Sequence, residues 1–565
     1  MADTIEFEDL EEINAVDPSN DVVLGYSKSG NKVGLIPLSF VSGAGWCGRR
    51  WDMNASTPIG EACGDIDLLR EWPSRIGLGC YLVDKNHGRR KLDPSNHYKF
   101  ATGETAKLDG SMGDYMWGWN AVWYYAWWVD GDYFYEAVSL KPMTGRYNYK
   151  IPVASTSALG VAVVDRTNLE LVSVINTAAQ YRGGNNNADY DGKYNTQLGV
   201  AATNLNAATF GDYARKKGDG WEAYWYAHHA AIGILFRVIM GTRNCQTAVN
   251  TNKDSNGLYQ GGVGAGVTTA PALWGDTVAN NGWANYPFLQ TSVAVDKGDY
   301  TGSVAATVTN GAGTTSTVNV PCFFGLKNFF GYLGRWGRGK LINKTSDGGY
   351  DMYVVPKLYS TYSMSSLTGL TKVASGPANA TASSYEYITQ MSMQNLCMCP
   401  TVLGGTSSTY FCDAQYNDKA VSGLRVPSVG GNANNGSNAG LGYLNVNNGV
   451  TTANANYGSP LNYRARRLIL VSFSAEPRHG GRDRAPRRKT QSTEVPVGPS
   501  ARQQYQRRKA DKNRNDTEVG HRSRHRHEPK RTLSRTVSHP REYLEGVWRL
   551  CPGQDASEGR EGFLN

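Results

Sequence analysis

Between Arg425 and Tyr463 the chain reads RVPSVGGNANNGSNAGLGYLNVNNGVTTANANYGSPLNY, and almost every group available for chemistry there is neutral. Asn434, Asn435, Asn438, Asn445, Asn447, Asn448, Asn454 and Asn456 recur every one to seven residues, with Tyr443, Thr452 and Tyr457 interleaved. A carboxamide both donates and accepts hydrogen bonds, and Asn tolerates left-handed turns. Tyr adds rigid contact area at low entropy cost. This is the chemistry of recognition, since no enzyme needs so many neutral amides in a row. These eleven residues form the expected ligand-binding set. The plain alternative is a flexible Asn/Gly-rich loop. Against it, the apolar steps Leu441, Tyr443, Leu444, Val446 and Val450 persist through the run, as strands on a core require.

Other reactive residues do not assemble into a catalytic pattern. The sequence has no GxSxG, HExxH or CxxC, and the nine Cys follow no regular spacing. Carboxylates are plentiful, but nothing marks a glycosidase pair. His228 falls on an apolar stripe and reads as a core imidazole, with His229 pointing elsewhere. Asn187, Asp189, Asp191 and Gly192 (NADYDG) are like the first half of a calcium loop. The twelfth position is Leu198, where a closing Glu is needed. Gln260–Val267 is Gly-rich but lacks the Lys-Ser/Thr of a phosphate loop. No catalytic residue, metal or cofactor is expected.

The elements that must position the binding run come earlier. Val22–Gly25 and Lys32–Ile36 flank a turn at Ser29-Gly30-Asn31 and predict a hairpin within residues 1–40, a small attachment segment. Met116–Tyr135 (MWGWNAVWYYAWWVDGDYFY) alternates at Trp117, Trp119, Trp123, Tyr125 and Trp127. It predicts a strand with one aromatic face and a turn at Asp130-Gly131 into Tyr133–Val138. Such a face is core packing first and a sugar-stacking platform second. From Trp221 the i, i+3, i+4 spacing of Trp221, Tyr224, Trp225, His228, Ile232, Leu235, Phe236 and Ile239 predicts a helix, stopped at Gly241.

GGNANNGSNAGLGYLNVNNGVTTANANYGSPL resembles the variable region of target proteins of diversity-generating retroelements, of the kind found in phages of gut Bacteroidales. In that family a reverse transcriptase rewrites adenines, and Asn codons are favoured targets because changing their adenines never yields a stop. Phe323–Trp336 (FFGLKNFFGYLGRW) is similar to a core segment of the formylglycine-generating-enzyme branch of the C-type-lectin fold. The matching residues are Gly325, Leu326, Phe330, Gly331 and Trp336. The enzymes of that branch use a cysteine pair. Cys397 and Cys399 stand too close to copy it, and Cys245, Cys322 and Cys412 stand singly. The resemblance covers about Thr196–Tyr463. It implies an α+β fold, with a C-type-lectin-like carboxyl-terminal domain presenting the variable region to a bacterial cell-surface receptor, protein or glycan. It further implies a phage tail-fibre adhesin packed on other tail proteins, with a homotrimer expected from tail fibres in general.

Composition bounds the rest. High Gly, Tyr and Trp (65, 33 and 14) suit a β-rich, loop-rich extracellular or virion protein. The net charge of +9 hides a division. Residues 464–565 carry 24 Lys and Arg against 12 Asp and Glu, whereas the remainder carries 34 against 37. The body is therefore slightly acidic and gains no nucleic-acid role from charge. The Arg-rich stretch lacks periodicity and is expected to be disordered. It is able to meet phosphate through its charge, but it also has the look of a shifted reading frame. The acidic start MADTIEFEDLEE lacks an apolar signal, which implies synthesis in the cytoplasm with thiols reduced and release within a virion. Four regions result: 1–40, an aromatic β-rich region 41–195, a lectin-like binding domain 196–463 with its variable part at 425–463, and a basic tail 464–565.

Overall fold

The computed structural model describes residues 22–27, 32–37, 45–192, 196–252, 287–309, 315–381 and 383–465. The expected disorder of the basic tail, and the Gly-rich turn at 260–267, lie outside the described residues. The hairpin is present as a backbone pair, Val22–Ser27 against Lys32–Pro37, in register from Ser27↔Lys32 to Val22↔Pro37.

The α+β expectation is corrected: strand outweighs helix, 38% to 14%, and the strands are spread over several sheets, so the protein is mostly β. Two features misled the sequence reading. Trp221–Ala223, assigned to the start of a helix, is a strand. The helix begins only at Tyr226 and runs to Met240. Trp221 and the residues after it keep a helical spacing because the strand and the helix are both buried, and burial on all sides makes any period fit. Gly241 does end the helix, at φ 69°, with its N–H on the Arg237 carbonyl 3.0 Å away.

That helix lies buried along nearly its whole circumference, from Tyr226 to Val238. Its central position explains the aromatic density around it. Phe236 meets Phe323 and Phe329 at 5.3 and 5.6 Å between ring centroids. The tryptophans of the Asp114–Trp119 and Trp123–Asp130 strands pack on one another, Trp119–Trp123 at 5.8 Å, and Trp72 of the helix Ile66–Arg75 joins them, 6.3 Å from Trp123, both contacts edge to face. Trp117, Trp119, Trp123 and Tyr125 are fully buried. They are core, as the packing interpretation had it, and offer sugars no face. The Asp130-Gly131 turn leads into Tyr133–Ser139, paired in register Tyr133↔Asp130. Between sheet and helix, Glu136 takes two hydrogen bonds from Arg237 (2.6 and 2.8 Å) and one from Tyr125 (2.8 Å). All three are buried, and against the cost of burial the Arg237 charge and hydrogen bonds, with the Arg243 charge and the Tyr125 hydroxyl, hold the Glu136 carboxyl below its ordinary range.

The sheets ignore the boundary expected at residue 195. One seven-stranded sheet runs Trp221–Ala223, Leu461–Arg464, Ala154–Ser157, Asp114–Trp119, Gly79–Val83, Arg89–Asp93, Asn96–Phe100. Leu461–Arg464, the last described strand, sits between strands from both expected regions, paired Ser155↔Tyr463 and Trp221↔Tyr463. A second seven-stranded sheet runs Cys399–Leu403, Ser383–Ser392, Ala414–Asp418, Leu444–Asn445, Ser428–Val429, Gly334–Trp336, Tyr457–Gly458. It carries the amide-rich run. Among the described residues no helix is long and apolar enough to cross a membrane.

Candidate functional site

Register in the second sheet builds a site out of residues far apart in sequence. Tyr385 pairs with Tyr416, Tyr416 with Asn445, Asn445 with Ser428, and Ser428 with Trp336. Directly paired residues project from the same face, so these five form one row across five strands. At the end of the row Tyr457 pairs with Gly334 and stacks on Trp336, centroids 4.5 Å apart. Gly334 is required there: a Cβ would stand 2.7 Å from the Tyr457 ring. Phe323–Trp336 thus supplies a strand flanked in the same sheet by two strands of the amide-rich run.

The loop Gly431–Ala439 rises beside this row. Asn435 folds it, accepting the Asn432 N–H at 2.6 Å and donating to the Tyr385 hydroxyl at 3.0 Å. A 3-10 turn at Gly436–Asn438 closes the loop, and the Ser437 hydroxyl meets that of Tyr387 at 2.8 Å. Row and loop enclose a pocket of about 220 Å³. Its walls are the rings of Tyr385, Tyr416, Tyr443 and Tyr457, and its polar groups come from Ser428, Asn432, Asn434, Asn435, Asn445 and Asn456, with Gly334 and Gly431 completing it. Tyr385 and Tyr416 lie 4.7 Å apart, and Tyr385 is 40% exposed, which places this pair at the mouth. Tyr443 and Tyr457 are buried.

Among the described residues, no Lys, Arg, His, Cys, Asp or Glu lines the pocket. Burial raises the phenol pKa values of Tyr385, Tyr443 and Tyr457 above the ordinary tyrosine range, and neighbouring phenols push each of them the same way. The surface offers aromatic faces and neutral donors and acceptors, with no acid, base or nucleophile.

The expected residues divide by position. Asn434, Asn435, Tyr443, Asn445, Asn456 and Tyr457 line the pocket together. Asn447 and Asn448 do not. Asn447 Oδ1 accepts from the Lys344 ammonium at 2.8 Å and from the Asp418 N–H at 3.0 Å. Burial lowers the Lys344 pKa to about 8, so its ring of oxygens (Asn417, Asp418 and Asn447) matters to its charge. Asn448 accepts the Val426 N–H through its carbonyl at 2.9 Å. Asn438, Thr452 and Asn454 lie in turns outside the lining; Asn454 is exposed, with its carbonyl on the Asn204 N–H at 3.2 Å. Asn435 and Asn445 are themselves almost buried, so their amides serve the fold as well as the pocket. Tyr385, Tyr416, Ser428, Asn432, Gly334 and Gly431 were missed. A signal existed for two of them: SSYEYITQMS alternates as a half-buried strand, and AQYND sets a Tyr among small polar residues.

Elsewhere the reactive residues serve structure. His228 is buried against Tyr359 (Nε2 to hydroxyl 3.1 Å), and burial pushes its pKa down to about 3. His229, expected to point away, is also buried, with Nδ1 3.0 Å from the Tyr224 hydroxyl. Cys245, Cys322, Cys397, Cys399 and Cys412 are buried free thiols, their pKa values raised by burial, those of Cys322 and Cys397 to about 11. In the calcium-like stretch, Asn187 caps a short turn through the Asp189 N–H and Asp191 is engaged by Arg182. Cys80, His97 and Asp299 bring ligand-type atoms within 4.8 Å of one another. His97 already lies between Tyr115 (2.5 Å) and Asp299 (3.0 Å), and Lys91 stands 3.7 Å from Asp299. Buried Lys327 donates to Tyr115 at 2.6 Å. Two ammonium groups around one carboxylate oppose an added cation.

No family model matches the chain, and no curated protein matches it.

Proposed function

We propose that the chain is a ligand-binding protein, the receptor-binding adhesin of a phage tail tip, whose pocket-bearing face is varied by a retroelement. The observation that carries this reading is the convergence of six amide-run residues on one neutral, tyrosine-walled pocket. Concave sites with a few convergent polar groups are the usual form of a binding site. A lining without acid, base or nucleophile favours binding over turnover. The frame around it, from Gly334–Trp336 to the helix Tyr226–Met240, is buried. Exposed lining residues such as Asn434 are therefore open to exchange, because substitutions away from the core usually change stability by within about 0.5 kcal/mol. Several copies on one particle would strengthen a weak single contact.

Two experiments test the reading. Purified full-length chain is applied to a panel of Bacteroidales cells, with Tyr416→Ala and Asn434→Arg as pocket variants. Adsorption is expected for the parent chain and is lost in both variants at unchanged melting temperature; adsorption indifferent to both would overturn the assignment of the pocket. Sequencing the DNA downstream tests diversification. A near-copy of the 425–463 coding stretch, differing mainly at adenines and lying beside a reverse-transcriptase gene, is expected, and its absence removes the retroelement from the proposal.

A further inference from the structure

We propose that the pocket takes an uncharged sugar residue, the terminal unit of a neutral surface glycan; this rests on the reading of that pocket as the receptor site. Three observations lead there. The first is charge. A carboxylate, phosphate, ammonium or guanidinium entering the pocket would leave water and meet no opposite charge in the lining, which costs several kcal/mol. That argues against acidic sugars and charged peptide side chains alike.

The second is the supply of unused hydrogen-bonding groups. Asn435 and Asn445 spend their amides on the loop and the strand. Asn434 and Asn456 enter the hydrogen bonding of the fold through backbone atoms, and of the Asn432 side chain only Oδ1 is engaged, accepting the Asn434 N–H at 3.0 Å. Three carboxamide groups are thus left facing the pocket with donors and acceptors available. A sugar hydroxyl is itself both donor and acceptor, so it pairs with either end of such an amide. A peptide anchor asks instead for an apolar floor or a charge partner.

The third is shape. Tyr385 and Tyr416 offer ring surface at the mouth, against which the C–H face of a pyranose packs. The volume of about 220 Å³ lies below the roughly 300–1,000 Å³ of sites for drug-sized ligands. It has room for one small unit, not for a run of chain.

The test uses the full-length chain on host cells and on purified host polysaccharide. Periodate oxidation of the cells is expected to abolish adsorption, and protease treatment to leave it intact. In direct titration a neutral glycan binds and an acidic one does not. Tyr385→Ala and Asn432→Ala each weaken binding on the order of tenfold, while Tyr147→Ala, an exposed tyrosine outside the pocket, leaves it unchanged. Adsorption lost to protease but not to periodate overturns the sugar and leaves the adhesin standing, with a protein receptor. Preference for acidic glycans also overturns the inference. Failure to adsorb to any cell overturns the adhesin reading itself.

Discussion

Two aromatic regions of this molecule use the same class of residue to opposite ends. In the Asp114–Trp119 and Trp123–Asp130 strands the rings are mostly tryptophan and close on one another, and the indole N–H groups of Trp117 and Trp123 find no acceptor in the protein. In the pocket the rings are tyrosine, and their hydroxyls reach Asn435, Asn445 and Ser383. The first region fills volume; the second leaves a space and edges it with polar groups. What distinguishes them is the phenol. At the mouth Tyr385 stays 40% exposed while its hydroxyl takes a hydrogen bond from Asn435, whereas Trp117 and Trp123 are packed over completely.

The comparison yields a graded set of expectations. Trp117→Ala should cost about 3–5 kcal/mol in chemical denaturation, as large-to-small changes in cores do. Should Tyr385→Ala at the pocket mouth cost as much, the two regions would not differ in kind. Next comes Asp413, a buried carboxyl that accepts the Gly442 N–H at 2.7 Å beneath the loop to Tyr443. Burial raises its pKa to about 8. The folded protein then holds a proton that the unfolded chain has released above its ordinary carboxylate range. Stability therefore falls as pH rises toward about 8. Between about pH 5 and about pH 7 the parent chain should lose roughly 2–3 kcal/mol relative to Asp413→Asn. Parallel curves for the two would remove the carboxyl from the account.

Within the amide run itself, Asn447→Ala takes an oxygen from the Lys344 ammonium and should destabilise by about 1–3 kcal/mol with little effect on ligand affinity. Asn434→Ala should do the reverse, changing stability by less than about 0.5 kcal/mol and weakening binding. Melting and titration of both variants decide whether framework and contact amides are separable. One consequence follows at once: exchanging all of 434–457 as a block would remove Asn435, Asn445 and Asn447 together and should lower the melting temperature.

The chemistry of the site was legible because it is local. Neutral amides and tyrosines in one run mark an uncharged, hydrogen-bonding stretch before any fold is known, and six of the named residues do share a pocket. The other wall was not legible. Tyr385 and Tyr416 arrive through pairings with partners tens of residues away, and two-residue strands such as Ser428–Val429 and Leu444–Asn445 leave no periodic trace. The fold class failed for a related reason. The helix Tyr226–Met240 is long enough to dominate a periodicity reading, while many strands around it span only two to five residues. Trp117, Trp119, Trp123 and Tyr125 were legible as core because aromatics at alternate positions over a long run have few other outcomes, whereas Trp127, expected on the same face, is half-buried near the strand end.

The strand Leu461–Arg464 comes after the whole amide-rich stretch and completes a sheet whose neighbours were laid down some three hundred and some two hundred and forty residues earlier. During synthesis, Ala154–Ser157 and Trp221–Ala223 must wait with a vacancy between them until the ribosome has passed through the pocket-coding region. A stop codon or frame slip anywhere in that region would leave the gap unfilled and the nascent chain exposed to proteolysis. The sheet thereby checks the stretch that precedes its last strand: only messages read through to Arg464 supply the strand that fills the gap.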